Sequence, residues 1–143
     1  MTQPAPEPLV SDIAYGVIDL RLGRKATVVG YQVGLFAVRR AFDGTRLYDG
    51  AGGVLMARAF VVDHWPSGGT MGDAASFEDG LVIADELSIA LGHVTTCDVM
   101  ELVRELQRHA DLLAWIDAIE VSGKVVGLRA WRAQQATAAG AAA

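Results

Sequence analysis

The sequence has a single cysteine, Cys97, so it cannot form an internal disulfide. Its stability must come from packing, and a lone cysteine is as readily a small buried hydrophobe as a reactive thiol. The residue types of a metal site occur elsewhere in the chain, namely in Asp63, His64, His93, Asp98 and His109. They lack the spacing of a Cys-x-x-Cys or His-Glu-x-x-His motif, so we expect neither a bound metal nor a cofactor.

Long apolar runs are also missing. The longest uncharged stretch suited to a bilayer, residues 26–38, is far shorter than the ~20 residues that a membrane-spanning helix needs. Residues 1–8 hold three of the four prolines and lack the basic head and apolar core of a secretory signal. The sequence therefore predicts a cytoplasmic protein with no membrane partner and a mobile, proline-rich tail over residues 1–8.

Basic residues are scarce. The chain has 12 Lys and Arg against 17 Asp and Glu, which gives a net charge of −5. Residues 1–70 carry seven basic and six acidic side chains, whereas residues 71–143 carry five and eleven. Because binding to a phosphate backbone depends on clustered Lys and Arg, this balance argues against broad nucleic-acid binding.

Apolar residues, by contrast, are abundant. They make up 52% of the 143 residues, and the mean hydropathy is +0.30, above the usual mixture for a monomer of this size. We expect part of this surplus to lie in a subunit interface. The length fits one domain, which we place at residues 9–132, followed by an alanine-rich tail at 133–143 that could extend a helix.

The first half of the chain shows the patterns of strands. Apolar and charged residues alternate near the end of the segment 13–22, which is typical of a half-buried strand, and residues 54–65 form a second predicted strand. For residues 26–42 the sequence leaves two structures open, a bent strand or a strand leading into a short helix, because two glycines weaken a helix. The glycine-rich segment 66–76 is predicted to be a loop.

The second half is predicted to be helical. Ser76 is the expected N-cap of a helix at 77–91, which Gly92 ends. A longer amphipathic helix at about 96–118 follows, with apolar residues at helical spacing, and residues 119–131 form a predicted hairpin that turns at Ser122 and Gly123. The predicted fold class is therefore α+β, with a β-rich N-terminal half packed against two helices and a C-terminal β-hairpin.

This order of helix, turn, helix and hairpin is that of a winged helix-turn-helix. The residue types fit a DNA-binding motif less well than the order of the elements does. His93 is an extra residue in the turn, and Asp98 and Glu101 open the second helix where a DNA reader favours basic or amide side chains. We therefore favour a helical hairpin packed on a sheet for structural reasons over a DNA-binding motif.

Two catalytic patterns are incomplete. Residues 50–53, Gly-Ala-Gly-Gly, lack the Lys-Ser/Thr ending of a phosphate-binding loop. Asp63, His64 and Ser67 are the residue types of a hydrolase triad, but their adjacency in sequence does not produce its geometry, and no Gly-x-Ser-x-Gly elbow surrounds the serine. A small enzyme centred on Asp63 and His64 is kept as an alternative.

We interpret the chain as a non-enzymatic interaction or regulatory protein that acts through protein contacts and self-association. Trp131 lies between two arginines, a composition typical of interaction hot spots, although it could equally cap the core. One alternative is a nucleic-acid-binding regulator with a degenerate winged helix-turn-helix, and another is an assembly subunit of a phage-like or other oligomeric particle. The candidate partner-binding residues are Arg104, Arg108, Lys124, Arg129, Trp131 and Arg132.

Overall fold

The computed structural model describes residues 12–19, 24–41, 46–48, 54–56 and 58–142. In these residues the fold is α+β, with a five-stranded antiparallel sheet followed by four helices. The strands are β1 (Asp12–Asp19), β2 (Arg24–Val33), β3 (Phe36–Arg40), β4 (Arg46–Tyr48), β5 (Val54–Met56), β6 (Phe60–His64) and β7 (Gly69–Ala74). The helices are α1 (Phe77–Leu91), α2 (Val99–Gln107), α3 (Ala110–Ser122) and α4 (Leu128–Ala142).

The five-stranded sheet has the order β1-β2-β3-β6-β7, and β4 pairs with β5 separately. The segment 26–42, whose structure the sequence left open, contains most of β2 and all of β3. These two strands form a hairpin in which Val33 pairs with Phe36. Gly34 makes the turn with a φ of 60°, a conformation that glycine adopts without steric cost.

Strand β7 was not expected, because the segment 66–76 was predicted to be a loop. Its backbone pairs with β6 despite the low strand propensity of its glycines. Residues of α2 pack directly on this strand, since a Cβ on Gly69 would be in ordinary van der Waals contact with Leu102 at 3.4 Å and Val99 at 3.5 Å. Tertiary packing therefore decides the conformation of this segment.

Helix α1 is confirmed with its predicted bounds. The hydroxyl of Ser76 accepts a hydrogen bond from the Asp79 N–H, as an N-cap should, and Gly92 ends the helix. The buried face of α1 packs mainly against β3. A Cβ on Gly80 would lie 2.7 Å from the Val38 side chain, so this glycine lets the helix approach the sheet.

The predicted long helix at 96–118 is wrong, because it is two helices. Arg108 ends α2, and His109, with φ −112° and ψ 76°, precedes α3 in a non-helical conformation. The buried face also changes phase at this break. Leu112, Trp115 and Ile119 face the core in α3, whereas the continuous helix would have buried Leu113.

The predicted C-terminal hairpin is also wrong. The first residues of 119–131 complete α3, which ends at Gly123 in the left-handed conformation with φ 70°. An irregular connection follows, and α4 begins at Leu128. The same Ser-Gly pair suits a two-residue hairpin turn and a helix C-terminus, because each needs a residue with positive φ. Without the hairpin there is no wing, so the winged helix-turn-helix order is not kept.

The main core lies between the helices and one face of the sheet, where the indole of Trp115 and the rings and aliphatic chains of α1, β3 and β6 are buried. A smaller apolar cluster lies on the opposite face, around Tyr15, Val17 and Ala37. The tail predicted at 1–8 lies outside the described residues. The alanine-rich segment that could extend a helix is helical as far as Ala142.

The smaller cluster contains a buried polar network. The Tyr15 hydroxyl and the Arg39 Nε both donate to Asp63 Oδ2 at 2.6 Å, and the Thr70 hydroxyl donates to the other carboxylate oxygen at 2.7 Å. Tyr15 lies on β1 and Asp63 on β6, so this hydrogen bond joins two strands that β2 and β3 separate in the sheet. Gly30 permits this, because a Cβ there would lie 3.1 Å from the phenol oxygen.

Candidate protein-binding site

An open groove lies between α3 and α4. Its volume is about 410 Å³. Its floor is apolar and includes Ile119, Val126 and the indole of Trp131, which also packs against the main core. The remaining lining residues, from both helices and their connection, are Ala118, Ser122, Lys124, Gln134 and Gln135.

The connection between α3 and α4 forms this groove and is held by specific hydrogen bonds. The N–H of Gly123 donates to the Ile119 carbonyl and closes α3. The Trp115 indole N–H then donates to the carbonyl of Val126 at 2.9 Å, and this bond fixes the extended connection against the core. These hydrogen bonds, and not only the side chains of the connection, therefore hold the wall of the groove in place.

The groove opens onto a helix that is otherwise solvent-exposed. Trp131 is half-buried, but every side chain from Arg132 to Gly140 is exposed. Isolated helices of this length are marginal in water, and most helical stability in proteins comes from packing an apolar face. No described residue packs an apolar face against the outer part of α4.

The groove is the basic end of an acidic protein. Lys124 is the only charged residue that lines it. From Val121 onward the sequence has three basic residues and no acidic one, so the rest of the chain, with nine basic and seventeen acidic residues, has a net charge of −8. This asymmetry favours an acidic partner over a basic one.

No protein-family model, curated protein or solved structure matches the chain. The properties of the groove must therefore be argued from its own residues.

The predicted partner-binding residues fall in two places. Lys124 and Trp131 line the groove. The other two candidates of the C-terminal segment lie on α4 outside the lining, where Arg132 forms a 3.1 Å ion pair with Asp111 of α3 and Arg129 is exposed. The two candidates on α2 do not line the groove, and they are Arg104, which is exposed, and Arg108, which forms a 3.2 Å ion pair with Glu105.

Sequence reasoning missed most of the groove lining. Ile119 and Val126 were assigned to strands of the predicted hairpin, and Gln134 and Gln135 to the tail. The groove exists only because α4 is a helix that packs beside α3. The spacing of Trp131, Gln134 and Gln135, at i, i+3 and i+4, is the one signal in the sequence that could have indicated a common helical face.

Asp63 and His64 do not form a catalytic pair. They are neighbours on β6 and point to opposite faces of the sheet, and both side chains are fully buried. Asp63 belongs to the network with Tyr15 and Arg39, whereas His64 Nε2 lies 2.6 Å from the carbonyl oxygen of Val94. The small enzyme centred on these two residues therefore loses its geometric basis.

His64 is held as a structural cross-link. Because a carbonyl can only accept, Nε2 donates to Val94, which leaves Nδ1 to accept from the Ser67 hydroxyl at 2.8 Å. Burial lowers the pKa of His64, so the ring stays neutral in this arrangement. Ser67 also accepts from the Gly69 N–H, which stabilises the turn between β6 and β7.

A second polar cluster joins the sheet to α3. Arg58 donates from its backbone N–H and its guanidinium to the Asp73 carboxylate at 2.7 and 3.2 Å, and from the same guanidinium to the Glu120 carbonyl at 3.0 Å. Burial, together with a hydrogen bond to Asp73 and repulsion from it, raises the pKa of Glu120 to about 7. The cavity beside this pair measures about 10 Å³, room for one water molecule at most and not for a substrate.

Two searches of the described residues bear on other functions. These residues contain no group of three or more His, Cys, Asp or Glu side chains placed to hold a metal ion. None of the helices found there is long and apolar enough to cross a membrane. The glycines at 50–53, considered as a phosphate loop, lie outside the described residues.

Proposed function

We propose that this chain is a non-enzymatic interaction protein that self-associates, and that the groove between α3 and α4 is its binding surface. The observation that carries the proposal is an open groove, half of whose lining residues are apolar and which includes Trp131, beside a helix whose outer part is exposed on all sides. Aromatic side chains in such grooves are frequent anchors of protein interfaces, because they contribute much apolar area at a low cost in conformational entropy.

Sedimentation velocity over a wide concentration range tests this proposal. Lys124→Glu combined with Gln135→Glu reverses the charge of the groove without touching its buried floor. The matched control is Arg129→Glu combined with Ala133→Glu, which changes the net charge by the same amount. Residues 129 and 133 lie two positions from Trp131, on the opposite side of α4.

We expect the wild type to associate as its concentration rises. The groove variant should associate more weakly, and the control should behave nearly as the wild type does. A wild type that stays monomeric at every concentration would refute self-association. Equal weakening by both variants would show that net charge matters and the groove does not.

A nucleic-acid-binding role is the second candidate, and the basic, acid-free segment from Val121 onward favours it. The residues around the expected reading helix argue against it, because Asp98 caps α2 and Glu101 lies in its first turn. An electrophoretic mobility shift at low salt distinguishes the two roles. Retardation that is lost in the groove variant would favour nucleic acid, and no retardation at micromolar protein would remove this candidate.

A further inference from the structure

The outer face of α1 carries a stripe that the fold does not use. The stripe consists of Glu78, Val82, Asp85 and Ile89, which follow one another at intervals of four, three and four residues. All four are exposed, and Ile89 has 75% of its surface in solvent. This spacing is that of a seam that packs against another helix.

The stripe complements the groove in chemistry. It alternates acidic with aliphatic side chains, whereas the groove combines an apolar floor with Lys124 and two amides. In a contact between the two surfaces, an aliphatic side chain of the stripe would meet the apolar residues of the groove, and a carboxylate of the stripe would pair with the ammonium of Lys124. The opposite net charges of the C-terminal segment and the rest of the chain favour the same encounter.

The stripe can continue along α4 beyond the groove. It spans eleven helical steps from Glu78 to Ile89, roughly 17 Å at the rise of an α-helix. The groove lining on α4 spans only Trp131 to Gln135, and the helix continues to Ala142. The side chains on α4 beyond the groove are mostly alanine, so a second helix can approach it closely.

We propose that the groove of one molecule receives the α1 stripe of a second copy of the same chain. This inference rests on the proposed function and names its partner. Both surfaces are exposed in the same molecule, so they meet only between molecules. Because the stripe and the groove are different surfaces, the contact is heterologous, and each bound copy presents a free stripe or a free groove to the next one.

A symmetric contact between two grooves is less favourable. It would bring the Lys124 side chains of both copies towards each other, with no acidic residue in the groove lining to compensate. A parallel symmetric contact between two stripes would oppose Glu78 and Asp85 to their own copies, and an antiparallel one would bury these carboxylates against Ile89 and Val82 without a cation. The heterologous pairing offers the carboxylates the Lys124 ammonium instead.

A mixing experiment separates this arrangement from the symmetric ones. The groove variant Lys124→Glu with Gln135→Glu keeps an intact stripe, and Ile89→Asp keeps an intact groove. Each variant alone should associate about tenfold or more weakly than the wild type. Mixed together they should form a one-to-one dimer that grows no further, because only one productive contact is left and the altered surfaces are both acidic.

Sedimentation velocity and native mass spectrometry measure the species, and circular dichroism checks that each variant is folded. If Ile89→Asp fails to fold, Ile89→Glu takes its place as the stripe variant, because it also keeps the altered stripe acidic. A wild type that is monomeric throughout would overturn both this inference and the proposed self-association. A wild type that associates, together with a mixture that forms no dimer, would overturn the stripe-to-groove contact and leave self-association standing.

Discussion

Replacing Glu120 with glutamine should stabilise the protein at alkaline pH and leave its stability nearly unchanged at acidic pH. In the folded chain the Glu120 carboxyl lies beside Asp73, and burial and this neighbour raise its pKa from the ordinary value of 4.5 to about 7. Glutamine resembles the protonated acid, because its amide can donate to Asp73 and carries no charge.

The sign follows from the raised pKa. A group that binds its proton more tightly in the folded state contributes stability below its unfolded pKa, and this contribution is lost as the pH rises through the folded value. The wild type should therefore lose stability between about pH 5 and about pH 8, where Glu120 ionises against Asp73. The Glu120→Gln variant has no such group and should not show this loss.

The expected size is about 1–2 kcal/mol at the alkaline end. Each pH unit between the two pKa values corresponds to about 1.4 kcal/mol, but Glu120 is only half-buried, and solvent screening reduces the full value. Urea denaturation at several pH values measures the free energy of unfolding. Asp12→Asn, which removes an exposed carboxylate from β1, is the control for the loss of one negative charge. A Glu120→Gln effect of equal size at both ends of the pH range would refute the reasoning.

Two further substitutions test the sheet. Arg39→Met leaves the Asp63 carboxylate buried without its cation, so it should lower the free energy of unfolding by about 3–5 kcal/mol, whereas Arg40→Met at the exposed neighbouring position should cost less than about 1 kcal/mol in the same urea titration. Gly34→Ala forces a side chain into the left-handed region and against the Ser88 hydroxyl, so we expect a loss of at least about 1–2 kcal/mol. An unchanged melting temperature for this variant would contradict the assigned turn.

The elements predicted well are those whose boundaries are marked locally. Ser76 and Gly92 lie at the two ends of α1, and each acts through hydrogen bonds or backbone angles of its own few residues. No comparable local signal in the sequence indicates the break between α2 and α3. Arg108 and His109 are ordinary helix residues, and consecutive leucines at 112 and 113 let the apolar pattern continue in either of two phases.

The C-terminal errors have a different cause. Ile119, Glu120 and Val121 alternate as a strand would, and Gly123 supports a hairpin turn as well as a helix end. Contacts outside this segment decide between a hairpin turn and a helix end. The Trp115 indole N–H donates to the carbonyl of Val126, and Leu128 is buried in the core. No local pattern contains this information.

The same limit applies to the groove. The sequence indicated Trp131, because an aromatic residue flanked by arginines is a recognisable feature of interfaces, and it indicated Lys124 only as a basic residue of the predicted hairpin. The cavity that they share arises from the packing of α4 beside α3, and α4 was predicted to be a strand and a tail. Single binding residues can thus be suspected from the sequence, but the surface that they share can be described only from the structure.

The first turn of α4 is capped from another helix, since the Leu128 N–H donates to a carboxylate oxygen of Glu86 on α1 at 2.9 Å. This bond implies an order of folding, in which α4 forms after α1. The sheet and α1 leave the ribosome before the C-terminal residues do, and an alanine-rich segment of this length gains little from its own hydrogen bonds. The last helix therefore forms late, on a surface already in place, and a fragment that lacks α1 would lose α4 with it.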